Sequence, residues 1–333
     1  MIRIAILGAS GFVGAELLRL CALHPEFHPV QLFGDSQAGR PLAHVHPQLG
    51  LAWPDLAIEK FAPEALDCID LAFLALPHGQ SQAVAPEIIA RGIALVDLGA
   101  DFRLDSADAY ANWYKEEHRA PQLLSRFVYG IPEINRRAIA GSRTVAAAGC
   151  YPTAAILALK PLLELIEPDS IIVDAASGVS GAGKGLKEET HFNTVDGNFT
   201  AYGLLTHRHT AEMEMALGGR VLFTPHLAPM NRGILATCHA VARGACDPLA
   251  ALREAYAGEP FIHVSDRAPA TKWTLGSNAV HLTARYDERT GHVLVLSALD
   301  NLVKGAAGQM IQCANLTLGL DETAGLPVAG VWP

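Results

Sequence analysis

The sequence predicts an α/β chain in two parts, a doubly wound parallel sheet followed by an α+β domain on a mainly antiparallel sheet. Three observations carry this. Residues Ile2 to Leu7 form a run dominated by apolar side chains that leads into Gly8-Ala9-Ser10-Gly11-Phe12-Val13-Gly14, the pattern of strand, glycine turn and helix. Strand-like and helix-like stretches then alternate to about residue 149, as parallel sheets with crossover helices require. Later apolar runs, at 221–224, 234–241, 261–264, 279–285 and 292–298, follow one another with hairpin signals such as 287–291.

Taken in order, the first turn sets its glycines at G-x-x-G-x-x-G, one residue off the usual dinucleotide fingerprint. Glycines there let the backbone approach a pyrophosphate at a helix N-terminus, which marks the first part as Rossmann-type. A strand at 30–33 follows the His24-Pro25 break and ends in Gly34-Asp35-Ser36. Asp35 lies 21 residues past Gly14, where an acid holds the ribose 2′-hydroxyl of NAD. Ser36 and Arg40 suit the 2′-phosphate of NADP instead, so this loop leaves the cofactor open. Strand 70–76, helix 81–91 and strand 94–98 continue the alternation. Arg103 then stands past the end of a parallel strand, the edge where such sheets bind ligands.

Residues 144–148 are an apolar strand that stops at Gly149 and puts Cys150 before an Ala-, Leu- and Ile-rich helix at 153–166, with Pro152 in its first turn and a kink expected at Pro161. A free cysteine is ordinarily a buried small hydrophobe. At a helix N-terminus, unpaired N–H groups and the positive dipole end favour thiolate over thiol, which suits a nucleophile. After it, strand 170–175 ends in the glycine-rich loop 177–185. This loop imitates a P-loop, but Gly185 replaces the Ser or Thr that would hold magnesium, so Lys184 and the loop N–H groups suit a substrate anion better.

Thr206-His207-Arg208-His209 reads as the start of another helix. Zinc is tempting there, but no third ligand follows at metal spacing, and no metal is expected. A cysteine nucleophile needs a neighbouring imidazole, so His207 or His209 is the natural supplier. Arg103, Lys184, Arg208 and Arg232 are candidates for an anion clamp. The final helix, 302–318, is expected to return to the first domain.

The chain has 333 residues, half of them apolar, enough for two cores. Its six cysteines have no C-x-x-C spacing, which points to reduced thiols and a cytoplasmic setting. A signal peptide and a membrane span are not expected. The net charge of −9 offers no footprint for nucleic acid.

Taken together, the residues resemble the N-acetyl-gamma-glutamyl-phosphate reductases, NADPH-dependent enzymes of arginine biosynthesis. The resemblance runs nearly end to end, through Gly8 to Leu17, Ala38-Gly39-Arg40, His46 to Leu49, Ala100-Asp101-Phe102-Arg103, Tyr129-Gly130, Gly149 to Ala154, Ser177 to Gly183, Thr206 to His209, Thr224 to Leu227, Arg232-Gly233-Ile234 and Asn301 to Ala307. It departs at Ala148, where the family usually has Pro, at Gly99, usually Ser, and at Ala211-Glu212-Met213, usually Pro-Glu-Ile.

The resemblance implies a dinucleotide-binding domain, 1–149 with 301–333, and a catalytic and oligomerisation domain at 150–300 like that of aspartate-semialdehyde dehydrogenase. It also implies NADP bound through Gly8, Ser10, Gly11, Phe12, Val13, Gly14, Asp35, Ser36, Arg40, Ser177, Gly178 and Asn301. Cys150 would attack an acyl phosphate, releasing inorganic phosphate and leaving a thioester for hydride reduction, in a homo-oligomer of two or four chains. The rivals are a reductase of aminoadipyl or aspartyl phosphate and, from another class, a nucleotide-binding redox sensor.

Overall fold

The structure, a computed structural model, describes residues 1–332. The chain divides into two compact units, Met1–Ala148 with Ala306–Leu326, and Gly149–Gly305 with the tail from Pro327 on. The sequence reading set its boundaries at 149/150 and 300/301 and gave all of 301–333 to the first domain. The tail instead belongs with the second unit, because Asn278 N–H donates to the Pro327 carbonyl at 2.8 Å and Val331 N–H to that of Leu275 at 2.7 Å.

In the first unit an eight-stranded sheet has the order β3-β4-β2-β1-β5-β6-β8-β7. Its strands are β1 (Ile2–Leu7), β2 (Phe27–Phe33), β3 (Arg40–Pro41), β4 (Ala57–Glu59), β5 (Leu71–Leu74), β6 (Ala94–Asp97), β7 (Val128–Gly130) and β8 (Thr144–Ala147). Every pair is parallel except β3 with β4. β5, β6 and β8 are buried at every residue, which is why their sequences are mostly apolar and do not alternate with polar residues. The order reverses between β1 and β5, and the Gly8 turn opens at that switch point. The helix Gly308–Thr317 packs on β6 and β8. It is buried from Gly308 to Asn315, polar side chains included. Those side chains are satisfied: Gln309 donates to the Ala148 carbonyl, Gln312 to Glu322, and Asn315 to the carbonyls of Glu322 and Ala324.

The second unit holds a seven-stranded sheet, β10-β11-β9-β12-β15-β14-β13. The strands are β9 (Ile171–Gly178), β10 (Thr200–Ala201), β11 (Val221–Ala228), β12 (Ile234–Val241), β13 (Ile262–Val264), β14 (Val280–Asp287) and β15 (His292–Leu299). Most pairs are antiparallel, but β9 with β11 and β13 with β14 are parallel. The β9 to β11 connection is a long crossover that includes the helix His209–Leu217, as a parallel pair demands. On this sheet the helix Cys150–Leu159 packs against β12 and β15. It begins at Cys150 itself and ends earlier than the sequence suggests. Lys160–Leu162 form a 3₁₀ turn, since Pro161 cannot donate to the α-helical ladder. Nor is the expected helix at 302–318 uniform: it opens with a π-helical stretch, Val303–Ala307, before Gly308–Thr317.

Candidate active site

Gly149 is the N-cap of the helix Cys150–Leu159, with extended backbone (φ −65°, ψ 156°), and Cys150 is its first residue. Cys150 is partly exposed, whereas every residue from Tyr151 to Leu159 is buried. The cap has no side chain of its own. Glu212 takes over, accepting the Gly149 N–H through Oε2 at 3.0 Å, while the Gly149 carbonyl accepts both the N–H and the hydroxyl of Thr153 at 2.9 Å. On the other side the π-helical stretch brings Gly305 so close that a β-carbon there would lie 2.8 Å from Cβ of Cys150. The thiol-bearing turn is thus held from two directions. Of the other cysteines, Cys21, Cys238 and Cys313 are buried. Burial pushes the Cys21 thiol up, and that of Cys238 up to about 12, so both stay protonated.

The two histidines meet different surroundings. His207 packs edge-on against Phe223, Tyr151 and Tyr202 with ring centroids 5.3, 5.7 and 5.5 Å away, and its Nδ1 accepts the His209 N–H at 3.2 Å. Burial, helped by the Arg208 charge, lowers its pKa to about 4 and keeps the ring neutral near pH 7. His209 stands 4.8 Å from the His207 ring, and its Nε2 lies 3.9 Å from Oε1 of Glu212. Glu212 is fully buried. Its carboxylate therefore faces the cysteine's cap through one oxygen and an imidazole through the other.

Sequence reasoning alone singles out no place for Glu212 in the site. The signal was present: it sits three residues past His209 in the first turn of one helix, so the two side chains share a face. Tyr151 and Tyr202, joined by a 3.2 Å hydroxyl contact, are likewise not singled out.

Arg232 sits with its Nη1 3.6 Å from Oδ2 of Asp300, a buried carboxylate that also accepts the N–H groups of Gly276, Leu302 and Val303. Asn301 ties the adjoining loops together, accepting the Gly233 N–H at 2.7 Å and donating to Ser180 Oγ at 3.0 Å. Gly178 is required by close approach, because a β-carbon there would meet the Arg232 nitrogen at 2.7 Å; Ser177 beside it is buried. Lys184 and Arg208 are exposed. The P-loop-like spacing contains a 3₁₀ turn, Val179–Ala182, and no α-helix starts at its end, where a P-loop has one. Among the described residues no group of three or more His, Cys, Asp or Glu is arranged to hold a metal ion.

In the first unit a cavity of about 580 Å³ opens at the switch point, and Gly8, Ser10, Asp35 and Ser36 line it. The turn fits a dinucleotide. Gly8 has φ +89°, and a β-carbon on it would lie 2.2 Å from the Ala75 carbonyl oxygen; one on Gly14 would lie 2.5 Å from that of Gly8. Gly11, Phe12 and Val13 continue that turn into the first helix, outside the lining. Arg40 also lies outside it, exposed on β3. Arg103 is buried and donates from Nη2 to the Leu98 carbonyl at 2.6 Å. Nearby, burial pushes the Asp97 carboxyl up to about 7, against the hydrogen bonds from Ser81 Oγ and Gly99 N–H. A side chain on Gly99 would press on that hydroxyl at 2.5 Å.

The family model of the semialdehyde dehydrogenase NAD binding domain matches residues 3–142, and that of the semialdehyde dehydrogenase dimerisation domain matches 150–301. N-acetyl-gamma-glutamyl-phosphate reductase of Symbiobacterium thermophilum is 49% identical over all of this chain and 99% of its own. The chain belongs to this reductase family. The reductase of Desulforudis audaxviator is 48% identical over the whole of both chains. Among solved structures, aspartate semialdehyde dehydrogenase II of Vibrio cholerae shares the fold, with TM-score 0.72 at 18% identity over 96% of this chain and 98% of that one. The Candida albicans aspartate semialdehyde dehydrogenase with NADP gives TM-score 0.72 at 16% identity, over 95% and 98%. The reductase family and the semialdehyde dehydrogenases thus share both units of this architecture.

Proposed function

We propose that this chain reduces N-acetyl-L-glutamyl 5-phosphate to N-acetyl-L-glutamate 5-semialdehyde and inorganic phosphate, a step of arginine synthesis. The observation that carries the chemistry is Cys150 on a helix N-terminus whose cap is held by Glu212, with His209 on the other oxygen of that carboxylate. The Cys150 thiolate attacks the acyl carbon, the bond to the phosphate oxygen breaks, and phosphate leaves with the electron pair. A thioester on Cys150 remains. NADPH, when bound, would supply the hydride for reducing that thioester. Afterwards the carbon–sulfur bond breaks, the aldehyde departs and Cys150 is again a thiolate.

His209 is the better candidate for moving the proton. A carboxylate faces it and stabilises its charged form, whereas His207 is held neutral in an aromatic cage. The sequence by itself leaves the two histidines open as alternatives. Arg232, steadied by Asp300, is assigned with Arg208 and Lys184 of the same unit to the phosphate and carboxylate of the substrate, whereas Arg103 of the first unit is buried on the Leu98 carbonyl. NADP is chosen over NAD through the family resemblance, and a homo-oligomer through the dimerisation domain the second unit matches. Among the described residues no helix is long and apolar enough to cross a membrane, and a cytoplasmic setting accords with six free cysteines. Neither the aspartyl and aminoadipyl substrates nor a redox-sensing role is favoured, since the relatives carry the reductase name along their whole length.

Incubation with N-acetylglutamyl phosphate and no nicotinamide is expected to add one N-acetylglutamyl group to the peptide containing Cys150, read by mass spectrometry. Cys150→Ala should show neither adduct nor turnover. An adduct on another cysteine, with turnover retained in Cys150→Ala, would sink the reading.

A further inference from the structure

The cavity of the first unit carries a cation that no sequence pattern pointed to. Lys60 follows β4, whose register with β2 sets Glu59 opposite Phe33, and Gly34 N–H donates to the Glu59 carbonyl at 3.0 Å. One residue further along each strand puts Lys60 beside Gly34 and close to Asp35 and Ser36. All four line the cavity. Lys60 is exposed, and its side chain has no hydrogen bond or ion pair among the described residues.

Its neighbours narrow the choice of ligand. Where a dinucleotide rests on the glycine turn after β1, the residues just past β2 face the ribose of its adenosine half. Asp35 alone there would accept from a 2′-hydroxyl and repel a 2′-phosphate. Arg40, the cation the sequence suggested, stands on β3 outside the lining. Arg119 does line the cavity, but it arrives with Gln80 and Ala83, its N–H donating to the Gln82 side chain of the helix Ser81–Ala90. Lys60 is therefore the cation that shares the β2 end with Asp35. A lysine ammonium is a compact point charge that suits a phosphate dianion without a fixed fork geometry.

We propose that Lys60 receives the 2′-phosphate of NADP, offsets the charge of Asp35, and with Ser36 sets the cofactor preference in place of Arg40. This rests on the NADP reading above. The test is calorimetric binding of 2′,5′-ADP and 5′-AMP to the wild-type protein, Lys60→Met, Lys60→Arg and Arg40→Ala. Wild type should bind 2′,5′-ADP more tightly than 5′-AMP, and less so as salt rises. Lys60→Met should lose about tenfold or more in 2′,5′-ADP affinity, the scale of one hydrogen bond to a charged group, with 5′-AMP affinity unchanged. Lys60→Arg should keep most of the preference, and Arg40→Ala should leave it intact. The proposal is overturned if Lys60→Met retains the preference, if both nucleotides weaken together, or if the loss appears in Arg40→Ala. Equal binding of the two nucleotides by wild type would instead remove the NADP reading, and the role of Lys60 with it.

Discussion

At the residue scale, the proposed chemistry turns on one buried carboxylate. Glu212 joins the cap of Cys150 to His209, so its charge and its acceptor capacity can be separated. Glu212→Gln keeps an oxygen for the Gly149 N–H but removes the charge that favours imidazolium. Steady-state assays should show kcat falling by about a hundredfold, the scale of a disabled acid or base, with KM little changed. An unaltered kcat would return Glu212 to a purely structural cap. Asp97 makes the opposite use of burial. Its carboxyl holds a proton up to about 7 in the folded chain, against an ordinary value of 3.8. Between those values the native state binds the extra proton, so this contribution to stability is present below about 3.8 and lost as pH rises through 7. Asp97→Asn keeps an acceptor for Ser81 and Gly99 and has no proton to lose. Its melting temperature should match wild type near pH 4 and exceed it at pH 8. Equal melting temperatures at pH 8 would show that Asp97 is not the group responsible.

Among the elements, the π-helical stretch Val303–Ala307 has a definite task. Its wider turn, closed by Gly305 N–H on the Asp300 carbonyl at 2.9 Å, brings a glycine against Cys150. Gly305→Ala would place a methyl 2.8 Å from Cβ of Cys150, so the thiol or the stretch must move. Overpacking of this kind destabilises by about 1–3 kcal/mol, and if Cys150 is the nucleophile as proposed, turnover should fall further than the melting temperature suggests because its thiol is displaced. Wild-type kcat in a folded Gly305→Ala would show that the close packing has no bearing on the thiol's position. The helix Cys150–Leu159 is the companion element. It is apolar on every side because it is buried on every side, and only its first residue is partly exposed.

Across the whole molecule, the second unit leaves part of its sheet uncovered. Ile172 on β9, Leu222 on β11 and Val241 on β12 are exposed at positions alternating with buried neighbours. Apolar residues on an open sheet face, in a unit that matches a dimerisation domain, support association of two copies through that face. Leu222→Lys should shift the protein toward monomer in sedimentation velocity. An unchanged sedimentation coefficient would place the interface elsewhere.

The sequence by itself determined the alternation of strands and helices, the glycine turn at Gly8, and the exposure of Cys150 ahead of a helix. These are local: a period of two or of 3.6, a glycine where a β-carbon would clash, and a proline that ends a ladder leave marks within a few residues. It also held the His209 and Glu212 pairing at helical spacing, although that spacing alone does not say what the carboxylate's second oxygen meets. Only the tertiary structure decided what depends on residues far apart in the chain. Glu212 reaches Gly149 across 63 positions, Gly305 reaches Cys150 from the far end of the unit, and Lys60 comes beside Asp35 only because β4 pairs with β2. The surroundings that set His207 and His209 apart belong to the same class, since one ring is caged by Tyr151, Tyr202 and Phe223 and the other faces the buried Glu212. Desolvation and charge pairing act through space, and no spacing along the chain records them.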